Sequence, residues 1–257
     1  MEQPKLPLAP VAQARAAERA TSLADHLDRR HRGQTALELI DASVRHLFRN
    51  RIAMVSSFGA DSSVLLHLVA QVDPSTPVIF IDTEQLFEET LAYRDDLVAR
   101  LGLTDVRSHR PRPERLKRLD PENFLWQSDP DLCCRIRKVE PLADALRDFP
   151  AWVSGRKRFQ NAVRAALPAF EADGPRIKVN PLADWTAKDI EAYRIEHGLP
   201  EHPLVKFGYL SVGCAPCTSR VKPGEDPRAG RWRGREKTEC GIHLPGLMTT
   251  ESHGSGI

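Results

Sequence analysis

The sequence predicts an α/β fold, with a parallel sheet flanked by helices and an irregular C-terminal segment after it. Three observations predict this. Short, bare apolar runs alternate with helix-length amphipathic stretches from residue 51 onward, the rhythm of a parallel sheet covered on both faces. A turn of small residues joins the first such run to the first such helix. Apolar periodicity then stops after Cys217.

The elements follow in order. Residues 11–30 read as an exposed, charged helix ending near Gly33. Thr35 and Glu38 have capping-box spacing ahead of Leu37, Leu39, Ile40, Val44 and Leu47, which starts a second helix. Residues 51–55 form a short apolar strand, 61–72 an apolar-faced helix, and 78–81 a bare apolar strand behind Pro77. Residues 85–101 form a helix closed by Gly102, and Val106 lies in a third strand. Residues 133–149 read as helical, punctuated by Pro141. Further strands are expected at 152–154 and 177–179, and a helix at 186–197, capped by Thr186 with Asp189 at its third position. The stretch TSRVKPGEDPRAGRWRGREKTECGIHLPG is rich in Gly, Pro and Arg and reads as mobile or irregular. The chain thus divides into an N-terminal helical segment (1–50), an α/β domain (51–217) and a flexible tail (218–257).

Composition narrows the function. The 257 residues are 41% hydrophobic and 28% charged, with 37 basic and 35 acidic side chains and a formal charge of +2. A balance so near zero argues against a protein that coats nucleic acid. No run of eighteen apolar residues suggests a membrane span, and residues 1–22 do not resemble a signal peptide. A cytoplasmic address is the default expectation. Thiols stay reduced there, so the five cysteines point to metal binding or catalysis before disulfides.

The segment MVSSFGADSSVLLHL places Ser57, Phe58, Gly59, Ala60, Asp61 and Ser62 between a strand and a helix. Small residues there let backbone N–H groups and hydroxyls surround an oxyanion, aided by the helix dipole. The competing reading is a turn kept small for close packing. No Gly-Lys-Ser/Thr follows, so this is not a Walker A loop. It resembles the SGGxDS loop of the PP-loop nucleotide enzymes, with Phe58 in place of the first glycine.

Cys133 and Cys134 are adjacent, and Cys214 and Cys217 form Cys-Ala-Pro-Cys. Four thiolates suit tetrahedral zinc or a [4Fe–4S] cluster. Neighbouring side chains on a helix diverge by about 100°, which strains convergence on one zinc but suits separate corners of a cubane. Buried small residues and a thioredoxin-type redox pair are the alternatives for the two pairs. Arg135, Arg137 and Lys138 follow the first pair, either as a solvated helix face or as charge that offsets thiolates and attracts an anion.

Beyond these pieces, the CCRIRKVEPL, SGRKRFQNAVRA, PLADWT, GYLSVGCAPCTS, GEDPRAGRW and KTECGIH segments together resemble the assimilatory adenylyl-sulfate reductases of the bacterial and plant type. The resemblance spans roughly residues 51–243. It implies a PP-loop fold binding adenosine 5′-phosphosulfate, and a [4Fe–4S] cluster on Cys133, Cys134, Cys214 and Cys217. It also implies that Cys240 is the nucleophile, forming an S-sulfocysteine that reduced thioredoxin or a similar dithiol protein discharges as sulfite. Cys240 is the odd cysteine and lies among Arg228, Arg231, Arg233, Arg235, Lys237 and His243, cations that lower a thiol pKa. Further implied substrate contacts are Asp82 and Thr83, Lys138, Gly155, Arg156 and Arg158, Arg228, Arg231 and His243. Arg164 reads either as an addition to the Arg loop or as a surface residue. Glu84 stands where the family has glycine, which puts the nucleotide contacts of that segment in question. A homo-oligomer is expected.

Rival readings are a reductase of 3′-phosphoadenylyl sulfate or of both nucleotides, an ATP pyrophosphatase of the PP-loop class, and a non-catalytic cluster-bearing redox sensor. The four cysteines favour the unphosphorylated nucleotide, because the sister reductases generally lack them. A pyrophosphatase wants a fuller SGGxDS loop, and a sensor leaves KTECGIH without a purpose.

Overall fold

The computed structural model describes residues 10–237 and 239–243. Among them, six strands form one sheet: β1 (Ile52–Val55), β2 (Val78–Ile81), β3 (Val106–His109), β4 (Ala151–Val153), β5 (Phe170–Asp173) and β6 (Arg176–Val179). The order is β3-β2-β1-β4-β6-β5, parallel except that β5 runs antiparallel to β6. The α-helices are α1 (Pro10–Arg30), α2 (Ala36–Asp41), α3 (Ser62–Val72), α4 (Glu88–Leu101), α5 (Pro113–Leu119), α6 (Leu125–Ser128), α7 (Pro130–Cys134), α8 (Glu140–Ala145) and α9 (Ala187–Glu196). None is long and apolar enough to cross a membrane.

The bare apolar strands have a simple cause. Successive side chains on a strand point to opposite faces. Ile52, Met54, Val78, Phe80, Ala151 and Val153 enter one core with residues of α1 to α4, whereas Ala53, Ile79 and Trp152 enter a second with Val139, Leu142 and Leu146. Both faces are therefore dry, as parallel sheets require. Each fully buried large side chain contributes roughly 1.5–3 kcal/mol.

Capping boxes are present at Thr35/Glu38 and at Thr186/Asp189, and Gly102 ends α4 at φ +64. α2 is short because a π-helical turn, Ala42–Leu47, continues it. α1 is not wholly exposed. Ala20, Ala24 and Leu27 are buried, and Asp28 accepts from the backbone of Ala169 (2.8 Å) and Phe170 (3.2 Å), which covers the edge of the sheet. β5 was not expected, because Glu171 and Asp173 make it polar, although Asp173-Gly174 is a hairpin signal. The expected helix at 133–149 is α7, a π turn over Arg135–Val139, and α8. Pro141 lacks an N–H and its ring crowds the carbonyl four residues back, so the ordinary ladder opens just before it.

The sheet order places β1 beside β4, with the chain running outward from β1 toward β3 and returning at β4. In open α/β sheets ligands bind beyond the strand ends at such a reversal. The loops after β1 and β4 are 56–61 and 154–157.

Candidate active site

The loop after β1 is shaped by its backbone. Phe58 has φ +48, a left-handed conformation that favours glycine, and its N–H reaches Ser56 Oγ at 3.1 Å. The phenyl ring is fully buried and meets Phe80 edge-on, with centroids 5.5 Å apart. The ring anchors the loop from below while Ser57, Gly59, Ala60, Asp61 and Ser62 line a cavity of about 450 Å³ above it. That volume suits a small-molecule ligand. Thr83, Lys138, Gly155, Arg156, Arg228, Arg231, Cys240 and His243 line the same cavity. Phe58, Asp82 and Arg158 are not in its wall. Asp82 instead pairs with Arg110 (2.9 Å) and accepts from Glu84 N–H (3.0 Å), and Glu84 itself sits at φ +59.

The basic run after β4 splits three ways. Arg156 is buried toward the cavity, where it pairs with Glu171. Burial and then Arg164 pull its pKa down to about 10. Lys157, also buried, bridges to Asp61 across the loops at 3.0 Å. Arg158 turns away to the carbonyl of Leu167 (2.8 Å) and to Asp184. In the cavity wall, Arg156 Nε, Arg231 Nε and His243 Nδ1 are buried without a hydrogen-bond partner. Unpartnered buried polar groups are costly, and an anion with several acceptor oxygens would satisfy them. His243 stacks on Trp152 at 6.2 Å and 12°. Its basicity is held well down by burial and then by Lys178, Arg156, Arg164 and Arg228.

Beside this cavity lies a smaller one ringed by Cys133, Cys134, Cys214 and Cys217, with Arg137, Lys138, Trp126 and Trp232. All four thiols are free. Among the described residues no group of three or more His, Cys, Asp or Glu side chains could hold a metal ion as placed; the thiols surround a space. Burial pushes Cys133 up to about 11, with Arg137 opposing. Two contacts assemble this ring from distant parts of the chain. Arg137, buried, pairs with Asp120 at 2.7 Å and donates to the Thr83 carbonyl at 3.0 Å. Thr83 Oγ1 in turn meets Cys214 Sγ at 3.2 Å. Lys138 lines both cavities. Burial alone would lower its pKa, but the facing Cys214, Cys240 and Cys134 raise it.

The described part of the tail is irregular and packed against the site. Trp232 is buried, and Gly230 leaves room for the Ser219 carbonyl, which would lie 2.1 Å from a Cβ there. Cys240 is half-buried in the wall of the large cavity. Its pKa is held well below the ordinary thiol value by a hydrogen bond from Cys134, against burial, and by Lys138, the Ile242 N–H and Arg231. Glu239 is buried on Arg164, with contacts of 2.7 and 2.8 Å, and accepts from Asn161 at 2.6 Å. The sequence did not single out Glu239, Asn161 or Asp120; each acts through a partner far along the chain. The expected tail beyond His243, Thr238 within it, and the first nine residues lie outside the described residues.

Residues 51–220 match the phosphoadenosine phosphosulfate reductase domain family. A Mesorhizobium japonicum protein named adenosine 5′-phosphosulfate reductase is 59% identical over 211 residues, covering 82% of this chain and 83% of its own. A Gloeobacter violaceus protein named phosphoadenosine 5′-phosphosulfate reductase is 39% identical over 217 residues, covering 81% and 88%. The solved phosphate complex of phosphoadenylyl-sulfate reductase from Candida auris has TM-score 0.66 at 25% identity, covering 85% of this chain and 100% of that one.

Proposed function

The chain belongs to the phosphoadenosine phosphosulfate reductase domain family, and from its similarity to relatives named adenosine 5′-phosphosulfate reductase we infer an oxidoreductase of sulfate assimilation that reduces adenosine 5′-phosphosulfate. The observation that carries the reading is one cavity lined by Cys240, the loop after β1 and three unpartnered buried nitrogens. The loop receives the nucleotide phosphate at the start of α3, and Arg156 and Arg231 face the phosphosulfate oxygens.

Cys240 thiolate attacks the sulfate sulfur. The S–O bond to phosphate breaks, and AMP leaves with that oxygen and the electron pair. The sulfonyl group stays on Cys240 as S-sulfocysteine. A thiolate of a reduced dithiol protein of the thioredoxin kind then attacks Cys240 Sγ, and sulfite leaves with the electrons of the S–S bond. The second thiol of that protein resolves the mixed disulfide, so two thiols become a disulfide and Cys240 returns as thiolate. Lys138 and Arg231 stabilise the thiolate and the charge that builds on the sulfonyl oxygens.

Cys133, Cys134, Cys214 and Cys217 would hold a [4Fe–4S] cluster; their ring of thiols beside buried Arg137 and half-buried Lys138 supports the fit. Such a group supplies fixed charge and a tie between α7 and the 214–217 turn. The dithiol provides both electrons of the reaction, so none is asked of the cluster. With Cys134 bound to iron, the Ile242 N–H, Lys138 and Arg231 remain to hold the Cys240 thiolate. We place the enzyme in the cytoplasm, where dithiol reductants are kept reduced, and assign it a homo-oligomer.

The test is sulfite release from anaerobically purified protein with reduced thioredoxin and either nucleotide. Release from adenylyl sulfate, at a kcat/KM well above that for the 3′-phosphorylated nucleotide, is expected. The reverse preference would transfer the chain to the sister activity.

A further inference from the structure

We propose that Glu239 is the latch that docks the tail and sets Cys240 against the cavity, with Arg164 and Asn161 as its socket. The proposal rests on the reading of Cys240 as nucleophile. Glu239 immediately precedes Cys240 in the chain, and both partners of the buried Glu239–Arg164 pair are largely shielded, with side-chain exposures of 8% and 7%. Arg164 grips both carboxylate oxygens, and Asn161 donates to one of them as well. Arg228, earlier in the same tail, lies 3.8 Å from the other oxygen.

Such a two-point ion pair fixes geometry as well as energy. Its socket is itself rigid, because Asn161 Oδ1 caps the backbone of Arg164 at 3.0 Å. The tail makes other contacts on the way, such as Lys237 with Asp131 and Arg235 with the Trp126 carbonyl. Both involve residues with an exposed partner or a single backbone acceptor. The Glu239 pair is buried on both sides and adjacent to the reacting sulfur. It also decides the role of Arg164, whose side chain serves the tail in this arrangement.

A latch of this kind makes Glu239 a positioning residue. It should govern how often Cys240 is in place and leave nucleotide affinity alone. Limited trypsin cleavage after Arg233, Arg235 and Lys237 reports docking directly. Glu239→Gln should speed cleavage roughly tenfold, the scale of losing a charged hydrogen-bond partner. Arg164→Ala should do the same, and the double variant no more than either alone, since both remove one interaction. Asn161→Ala keeps every charge in place and should loosen the tail by about threefold, which preserves the test if the charge variants fold poorly. In parallel, Glu239→Gln should slow sulfonation of Cys240 by adenylyl sulfate in single turnover while its affinity for AMP stays within about threefold of wild type. Unchanged cleavage in the variants, multiplying effects in the double variant, or an AMP affinity that falls with the sulfonation rate would each overturn the latch. A wild-type enzyme that is not sulfonated at Cys240 would instead overturn the nucleophile assignment, and the cleavage series would still decide the docking role.

Discussion

Gly213 offers a perturbation in which stability and activity should separate. It lies one residue before Cys214, and a Cβ there would fall 2.2 Å from Nη2, 2.5 Å from Cζ and 2.8 Å from Nη1 of Arg231. Methyl and guanidinium cannot share that space. The obstructing atoms are the far end of a flexible side chain, so in Gly213→Ala the backbone holds and the guanidinium leaves. What it abandons is modest for folding: a 3.4 Å contact to the Val212 carbonyl and a position 4.5 Å over the Trp232 ring. Contacts of that kind amount to about 1 kcal/mol. For chemistry the loss is larger, because Arg231 lines the cavity as the guanidinium proposed to hold the phosphosulfate oxygens and is in addition a minor contributor to the lowered Cys240 pKa. A charged hydrogen bond to the reacting group contributes about 1.5–3 kcal/mol, or roughly 10- to 150-fold in rate. Gly213→Ala should therefore unfold within a few degrees of wild type yet lose that factor in kcat/KM for sulfite release. Arg231→Ala should match it, and the double variant should be no worse. Wild-type kcat/KM in Gly213→Ala would refute the placement of Arg231, and loss of iron in that variant would assign the effect to Cys214 instead.

Three further outcomes follow from the fold. Asp120→Ala strands buried Arg137 and should cost about 3–5 kcal/mol in urea unfolding; a change under 1 kcal/mol would mean that Arg137 finds another partner. Glu84→Gly should raise stability by about 0.5–1 kcal/mol, because an exposed residue at φ +59 gives up about 1–2 kcal/mol of left-handed strain against the larger chain entropy of glycine; a lower melting temperature would contradict it. His202 is buried and neutral, with its pKa pulled from 6.5 to about 4 by burial. The unfolded chain binds the proton first, so this stability is whole above pH 6.5 and drains as pH falls toward 4. The slope of stability against pH in that window should flatten in His202→Asn, and an unchanged slope would clear His202 of the role.

The parts of the fold legible in the sequence are those where local pattern and final environment agree. β1 and β2 are apolar without alternation because each faces two cores, and the Thr35 and Thr186 caps are complete within four residues. β5 escaped because Glu171 and Asp173 have buried cations as partners, Arg156 and Lys178, which no local pattern announces. The same limit applies at the site. Arg156, Lys157 and Arg158 are one basic run in sequence, yet the backbone turns Arg156 and Lys157 to the cavity wall, the latter onto Asp61, and sends Arg158 away to Asp184. Phe58 and Glu84 stood out as departures from glycine, and both occupy the left-handed backbone that glycine would adopt most easily. What could not be read was how the chain tolerates them, since that depends on the Phe58 ring reaching Phe80 and on Glu84 remaining exposed.

In the proposed reaction Cys240 accepts the sulfonyl group. Mixing the protein with adenylyl sulfate in the absence of any dithiol, then digesting it and weighing the peptides, tests this most directly. One AMP should be released per active site, with a sulfonate on the peptide containing Cys240 that is discharged as sulfite when reduced thioredoxin is added. Cys240→Ser should lose all three while keeping iron–sulfur absorbance. A sulfonate on Cys133, Cys134, Cys214 or Cys217, or AMP release without any adduct, would contradict it.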